Sequence, residues 1–375
     1  MELTMAAVNG RRIHQFLDLQ FSNNVPFIHM SLINFAKYIY DNYPGLVKKL
    51  GLLELAALPP YRSFYMKSIE HKMQSFNNGA IAVEFEVTNN CNADCIMCPN
   101  SLMVRPIAKM EMDLFKKIVD EFAVENLPLI KFVFAGIGEP TLDPLLPEKI
   151  RYLKEKIPKV PVQLTTNASL LTEKKSRELI EAGLDLMIIS FNGTTKKSYE
   201  AVMGNLKFDK TMENVLRFLT LRKNNIPHVT LSCVRLDANA EDFAGMEKSW
   251  KEKGVVVDAV KTPVPFNRGG DQMETRYKSK WALPKPTSKR QMFPCRMMGE
   301  NLLIHPNGSV VLCFVDYEEK HVMGQFGKNS LREILQTKQS WFDQHRQGDF
   351  SRTPLCKNCS FMREQTLAWW KDSYF

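Results

Sequence analysis

The chain has 375 residues, of which 44% are hydrophobic and 24% charged, with a formal net charge of +9. Those values fit a globular chain of about two or three domains and exclude a disordered or low-complexity one. No apolar run reaches the roughly 18 residues of a membrane span, the N-terminus has no signal-peptide core, and no Lys/Arg block points to nucleic acid.

A cytoplasmic location follows as an expectation, and there the eight cysteines read as reduced metal ligands rather than disulfides. Residues 1–78 carry apolar side chains at helical spacing, broken at Pro44 and at Pro59-Pro60, and predict a helical extension. From residue 79 the pattern changes to strands alternating with helices. Strands are expected at 81–87, 129–136, 160–166, 184–190, 228–234 and 255–261, and helices at 112–125, 146–156, 172–182, 207–223 and 238–253. Such alternation predicts βαβ units and a parallel sheet, with functional residues at the carboxyl ends of the strands. Six strands are too few for a closed eight-stranded barrel. The rhythm stops near residue 265, FNRGGDQ and LPKPTSKR (283–290) read as linker and loop, and the tail 291–375 holds four cysteines and a hairpin around Asn307-Gly308.

Directly after the first strand stand Cys91, Cys95 and Cys98, in CNADCIMC. Three thiolates hold three irons of a 4Fe–4S cube and leave the fourth open to an outside ligand, whereas zinc prefers four ligands in paired knuckles. In the tail, Cys295, Cys313, Cys356 and Cys359 form a four-thiolate set that saturates either a zinc ion or a second cluster.

These residues resemble the radical S-adenosylmethionine (SAM) superfamily over about 80–265. Gly136-Ile137-Gly138-Glu139-Pro140 is similar to the family's GGEP segment, Thr166-Asn167-Ala168 to its TNG, and Ser190-Phe191-Asn192-Gly193 to its SxDG. The resemblance implies a partial (βα)6 barrel and a SAM-binding cluster on Cys91, Cys95 and Cys98. It places Gly138 and Glu139 against the SAM amine, with Asn167, Ser190 and Asn192 as further SAM contacts. Met97 stands where the family more often has an aromatic against adenine. The tail resembles the SPASM/twitch auxiliary-cluster domains in their single-cluster form, so two 4Fe–4S clusters are implied, with flavodoxin or ferredoxin as electron donor. The expected domains are 1–78, 79–265 and 266–375.

A single-cluster tail of this kind implies oxidation of a sugar- or cyclitol-like alcohol, with the second cluster as electron acceptor. Cys233, on the fifth strand, supports a rival reading as hydrogen donor of an epimerase. Arg235 is a candidate anion clamp and Asp316 a candidate base. A third reading makes 1–78 the binding module for a peptide substrate, and a two-zinc scaffold is the non-enzymatic alternative.

Overall fold

The computed structural model describes residues 81–125, 127–265, 267, 276–282 and 295–361, all within the unit Glu54–Ala368. The helical extension expected over 1–78 lies outside the described residues. Six strands, β1 (Ile81–Phe85), β2 (Leu129–Phe134), β3 (Val162–Thr166), β4 (Leu186–Ser190), β5 (His228–Ser232) and β6 (Ala259–Lys261), each pair in parallel with the next. Their carboxyl ends therefore share one rim. The intervening helices are α1 (Met112–Glu125), α2 (Leu146–Lys156), α3 (Glu173–Glu181), α4 (Lys196–Met203), α5 (Phe208–Leu221) and α6 (Met246–Glu252).

The period of two along β1 divides its side chains between two environments. Phe85 joins Phe132 and Phe134 of β2 under Phe115 and Phe122 of α1, and the Phe85 and Phe115 ring centroids are 5.0 Å apart. Glu84 and Glu86 take the opposite face. Burial pushes the Glu84 carboxyl up to about 7, with the charge of Glu86 adding to it and that of Lys131 opposing it.

The sheet does not stop at residue 265. In the tail, α7 (Arg296–Glu300) leads into β7 (Asn301–Ile304), which lies parallel to β1; β8 (Ser309–Val311) and β9 (Val322–Gln325) follow antiparallel. The order is β6-β5-β4-β3-β2-β1-β7-β8-β9, so the tail covers the β1 edge that an open array would leave unpaired. The expected hairpin is present. Gly308 adopts φ +83° at its turn, and His305 N–H bonds to Ser309 O at 2.9 Å. The last long helix, α8 (Leu331–Arg346), starts with a capping box between Ser330 and Glu333.

Three differences from the sequence reading have local causes. The helix expected over 238–253 is broken at Gly245, whose φ of +79° separates a 3-10 segment, Asp237–Phe243, from α6. The strand expected from 255 begins at Ala259. Before it, Gly254 turns left-handed and Val255 N–H closes back on Trp250 O, so those residues end a helix. Helix α4 was not expected at all. Its start is a Thr195–Ser198 capping box, with serine where glutamate or glutamine is the usual signal. Among the described residues no helix is long and apolar enough to cross a membrane.

Below the rim, α2 is anchored by a buried charge. Lys149 has no exposed side-chain surface, pairs with Asp143 at 2.5 Å and donates to Met110 O at 2.7 Å. Lys149→Met would leave Asp143 buried without its cation. The expected loss is about 3 kcal/mol of unfolding free energy, read from the denaturation midpoint. An unchanged midpoint would show that the pair contributes nothing.

Candidate active site and cluster sites

The loop carrying Cys91, Cys95 and Cys98 has little regular structure of its own, and its shape is imposed by the elements around it. Gly138 presses on the residues leaving β1: a Cβ there would stand 2.0 Å from Thr88 O, so only glycine permits the approach. The next residue, Glu139, donates its N–H to Asn90 O at 2.8 Å. From the end of β3, Asn167 donates to Asn92 Oδ1 at 3.0 Å, and Asn92 donates to Ser169 Oγ at 2.8 Å. In the last turn of α4, Val202 O accepts from Ile96 N–H at 3.0 Å, and after the helix Gly204 is as tight as Gly138, with its Cβ position 2.2 Å from Asp94 O. Arg276 closes the far side by donating to Cys98 O at 3.1 Å and Asp94 Oδ1 at 2.7 Å.

The three thiols are half-buried. Burial pushes Cys91 up to about 12, opposed by the Ala93 N–H and reinforced by Glu139 and Cys98. Burial and the neighbouring Cys98 and Cys91 thiols raise Cys95 well above the usual range. Such thiols do not ionise unaided at neutral pH; a bound metal supplies the positive charge that deprotonates them. The residues therefore fit a three-thiolate cluster.

Glu139 is 2% exposed and ties two motifs together. Its Oε1 accepts from Thr141 N–H, Thr141 Oγ1 and Thr166 Oγ1, while its Oε2 accepts from Asn167 N–H at 2.8 Å. Oε2 has capacity for a further donor. No ion pair to Glu139 occurs among the described residues, so a cationic ligand beside it is electrostatically favoured. Met97 packs with Ile96 and Val234 against Val202, Leu236 and Tyr277. Ser190 ends β4 opposite Ser232 of β5. The Asn192 side chain is held within the protein: its Oδ1 accepts from Val234 N–H at 2.7 Å, and its amide contacts the Met203 sulfur.

In the tail, Cys295, Cys313, Cys356 and Cys359 line one cavity with Met297, Met298, Leu312, Phe314, Val315, Leu355 and Phe361. The lining apart from the thiols is apolar. Burial raises Cys295 to about 12, and Cys313 and Cys356 well above the usual range, with the neighbouring thiols adding to it. Among the described residues no three His, Cys, Asp or Glu side chains stand close enough to grip a single metal ion. Four converging thiols of this kind fit a closed, four-thiolate group.

Three other candidates have protein partners of their own. Cys233 is 1% exposed and shares the buried face of β5 with Val229 and Leu231, where its sulfur meets the Asn239 amide at 3.6 Å. Its neighbour Val234 takes the opposite face and packs, like Met97, against Val202, Leu236 and Tyr277. Burial raises the thiol of Cys233. Arg235 has its guanidinium over Phe243 and Trp281, 5.5 and 5.9 Å from the ring centroids, and donates to Thr262 Oγ1. Asp316 is 1% exposed; its two oxygens accept from Lys320 and His321 N–H at 2.9 and 2.7 Å, which braces a turn.

Four site residues escaped the sequence reading. Met203 ends an unexpected helix and Gly204 follows it, Asn100 donates to Asn89 O and Ile137 O, and Arg276 lies between two segments that read as linker and loop. Ala168 was legible only as a departure from glycine. It has φ +61°, the left-handed region that glycine enters without cost. Ala168→Gly should raise stability by about 0.5–1 kcal/mol, because released strain outweighs one lost buried methyl. The midpoint of denaturation measures it, and a fall would show that the methyl packing dominates.

Residues 85–248 match the family model of the radical SAM superfamily, and residues 295–360 match SPASM, an iron–sulfur cluster-binding domain. The tungsten-containing aldehyde ferredoxin oxidoreductase cofactor-modifying protein of Pyrococcus furiosus is 31% identical over 159 residues, 42% of this chain; the match spans less than half, 44%, of that relative. The S-adenosyl-L-methionine-dependent 2-deoxy-scyllo-inosamine dehydrogenase of Niallia circulans is 25% identical over 290 residues, 76% of this chain and 94% of that enzyme. The crystal structure of BtrN in complex with AdoMet and 2-DOIA superposes with a TM-score of 0.50 at 21% identity, over 74% of this chain and 92% of that one, which shows a shared fold. The chain belongs to the radical SAM superfamily and carries a SPASM-type iron–sulfur domain behind its radical SAM domain.

Proposed function

We propose that the protein is an oxidoreductase that removes two hydrogens from the carbinol carbon and hydroxyl of a small polar alcohol of the sugar or cyclitol class. The observation that carries this reading is the tail cavity, in which four thiols enclosed by apolar side chains leave no position for substrate. When bound, the three-thiolate cluster with SAM supplies a 5′-deoxyadenosyl radical, and the four-thiolate cluster supplies an acceptor for one electron. The match to the inosamine dehydrogenase along 94% of its length supports the same substrate class.

The chain's own residues then have three tasks. Glu139 and the backbone of Gly138 present a negative, hydrogen-bonding edge to the SAM amine. Asn167 holds that edge to the cluster loop through Asn92. Met97 offers a thioether surface for adenine. In the net reaction, the substrate carbon loses one hydrogen atom to the methyl group of 5′-deoxyadenosine. The hydroxyl loses a proton, the remaining electron leaves, and a carbonyl forms. The burial of Cys233 against Asn239 disfavours the epimerase reading. The peptide-substrate reading rests on residues 1–78, outside the described residues.

Mass spectrometry of turnover in deuterated water decides the matter. The expected product is two mass units lighter than its substrate and carries no solvent deuterium, and Cys233→Ala still forms it. A product of unchanged composition with one solvent deuterium at an inverted carbon, lost in Cys233→Ala, would overturn the proposal.

A further inference from the structure

Glu86 is the first residue beyond β1 and is 1% exposed. One carboxylate oxygen accepts from Ile137 N–H at 3.0 Å. The other takes the Arg105 guanidinium and lies 3.8 Å from His305 Nε2. Gly136, at φ +123°, lets the turn fold over this side chain: a Cβ there would stand 2.6 Å from Glu86 Cγ. The Gly136–Pro140 turn is thus seated on Glu86.

Arg105 lies on the segment leaving Cys98 and reaches the other way, into the tail. Its Nε donates to Tyr317 O at 2.5 Å, and its Nη1 is 3.2 Å from Glu319 Oε1. Glu318 accepts from Val104 and Arg105 N–H at 2.9 and 3.2 Å. His305 and Asn307 hold the two Glu319 oxygens at 2.9 and 3.0 Å. The His305 hydrogen bond leads in pushing the Glu319 carboxyl down to about 2; burial opposes it, and Asn307 and the charges of His305 and Arg105 assist. The turn that bears Tyr317 and Glu319 starts at an auxiliary cysteine, with Asp316 N–H on Cys313 O at 2.9 Å and Glu319 N–H on Asp316 O at 3.2 Å. A continuous run of hydrogen bonds therefore joins Cys313 to Ile137, with Arg105 at its centre.

We propose that Arg105 is a positioning residue that couples the auxiliary site to the SAM site, so that filling the four-thiolate site tightens SAM binding. The proposal rests on the Gly136–Pro140 turn being the edge that meets SAM, and it is independent of which substrate is oxidised. A guanidinium suits the task. It keeps its charge at any physiological pH, and its forked donors can engage Glu86, Tyr317 O and Glu319 together, which a lysine cannot. By linkage the effect is reciprocal: bound SAM should raise the equilibrium affinity of the auxiliary site for its cluster by the same factor.

The test needs no turnover. In anaerobically reconstituted protein, SAM affinity is titrated from the change SAM makes in the EPR spectrum of the reduced three-thiolate cluster. Four proteins are compared: wild type, the Cys356→Ala/Cys359→Ala double variant, Arg105→Met, and the combination. Removing the auxiliary cluster should weaken SAM binding about 5- to 20-fold when Arg105 is present, and less than about 2-fold when it is absent. Glu319→Gln, which keeps the hydrogen-bonding shape and leaves no unpaired buried charge, should act like Arg105→Met and covers the case in which that variant folds poorly. An auxiliary-site effect that persists undiminished in Arg105→Met or Glu319→Gln overturns the proposal. So does the absence of any effect in the wild-type background. Failure of the oxidoreductase reading would appear in the product mass and not in these affinities.

Discussion

The structure depends on a close backbone approach. The Cys91–Cys98 loop leaves β1 without strand or helix of its own, and two glycines let other chain segments touch it where any side chain would collide. Gly138 brings the end of β2 against Thr88 and Asn90, and Gly204 brings the end of α4 against Asp94. Parallel strands make this possible, because their carboxyl ends meet on one rim and each contributes a short loop. The cluster loop is therefore held by contacts distant in sequence, and its geometry forms only when β1 to β4 have assembled.

Electrostatics sets a second constraint. Burial and the neighbouring charges raise the thiols of Cys91 and Cys95 in one site and of Cys295, Cys313 and Cys356 in the other, so these groups bring no stability as bare thiolates. Metal binding must supply the charge that ionises them, and binding energy becomes folding energy for the loops concerned. The sites differ in surroundings. The first is half-open beside the buried carboxylate of Glu139, which suits a cationic sulfonium ligand. The second is walled by Phe314, Phe361 and two methionines, which suits a closed group that exchanges electrons.

The sequence revealed the βα rhythm, the hairpin at Asn307-Gly308 and the grouping of seven cysteines as three and four, because period, turn chemistry and thiol spacing are local signals. It was silent where the determinant is a partner far along the chain. Nothing local in Glu86 shows that it seats the Gly136 turn, and Arg105 looks like an ordinary surface cation until Tyr317 O and Glu319 arrive beside it. Asn192 replaces the aspartate common in the family, and the structure has its Oδ1 on Val234 N–H. Cys233 shows the limit of parity arguments: alternation gave it the same face as Leu231 but was silent on its partner, the Asn239 amide. The sheet continuing from β1 into β7 was also hidden, since two short strands far apart carry no sequence mark of their pairing.

The central claim is that one site is open to SAM and the other is closed. Mössbauer spectroscopy of protein reconstituted with iron-57 tests it most directly. The account predicts about eight irons per chain, with SAM changing the parameters of a single iron in one cluster and leaving the other cluster untouched. Zinc in the tail site, or a spectrum in which SAM alters neither cluster, would contradict it.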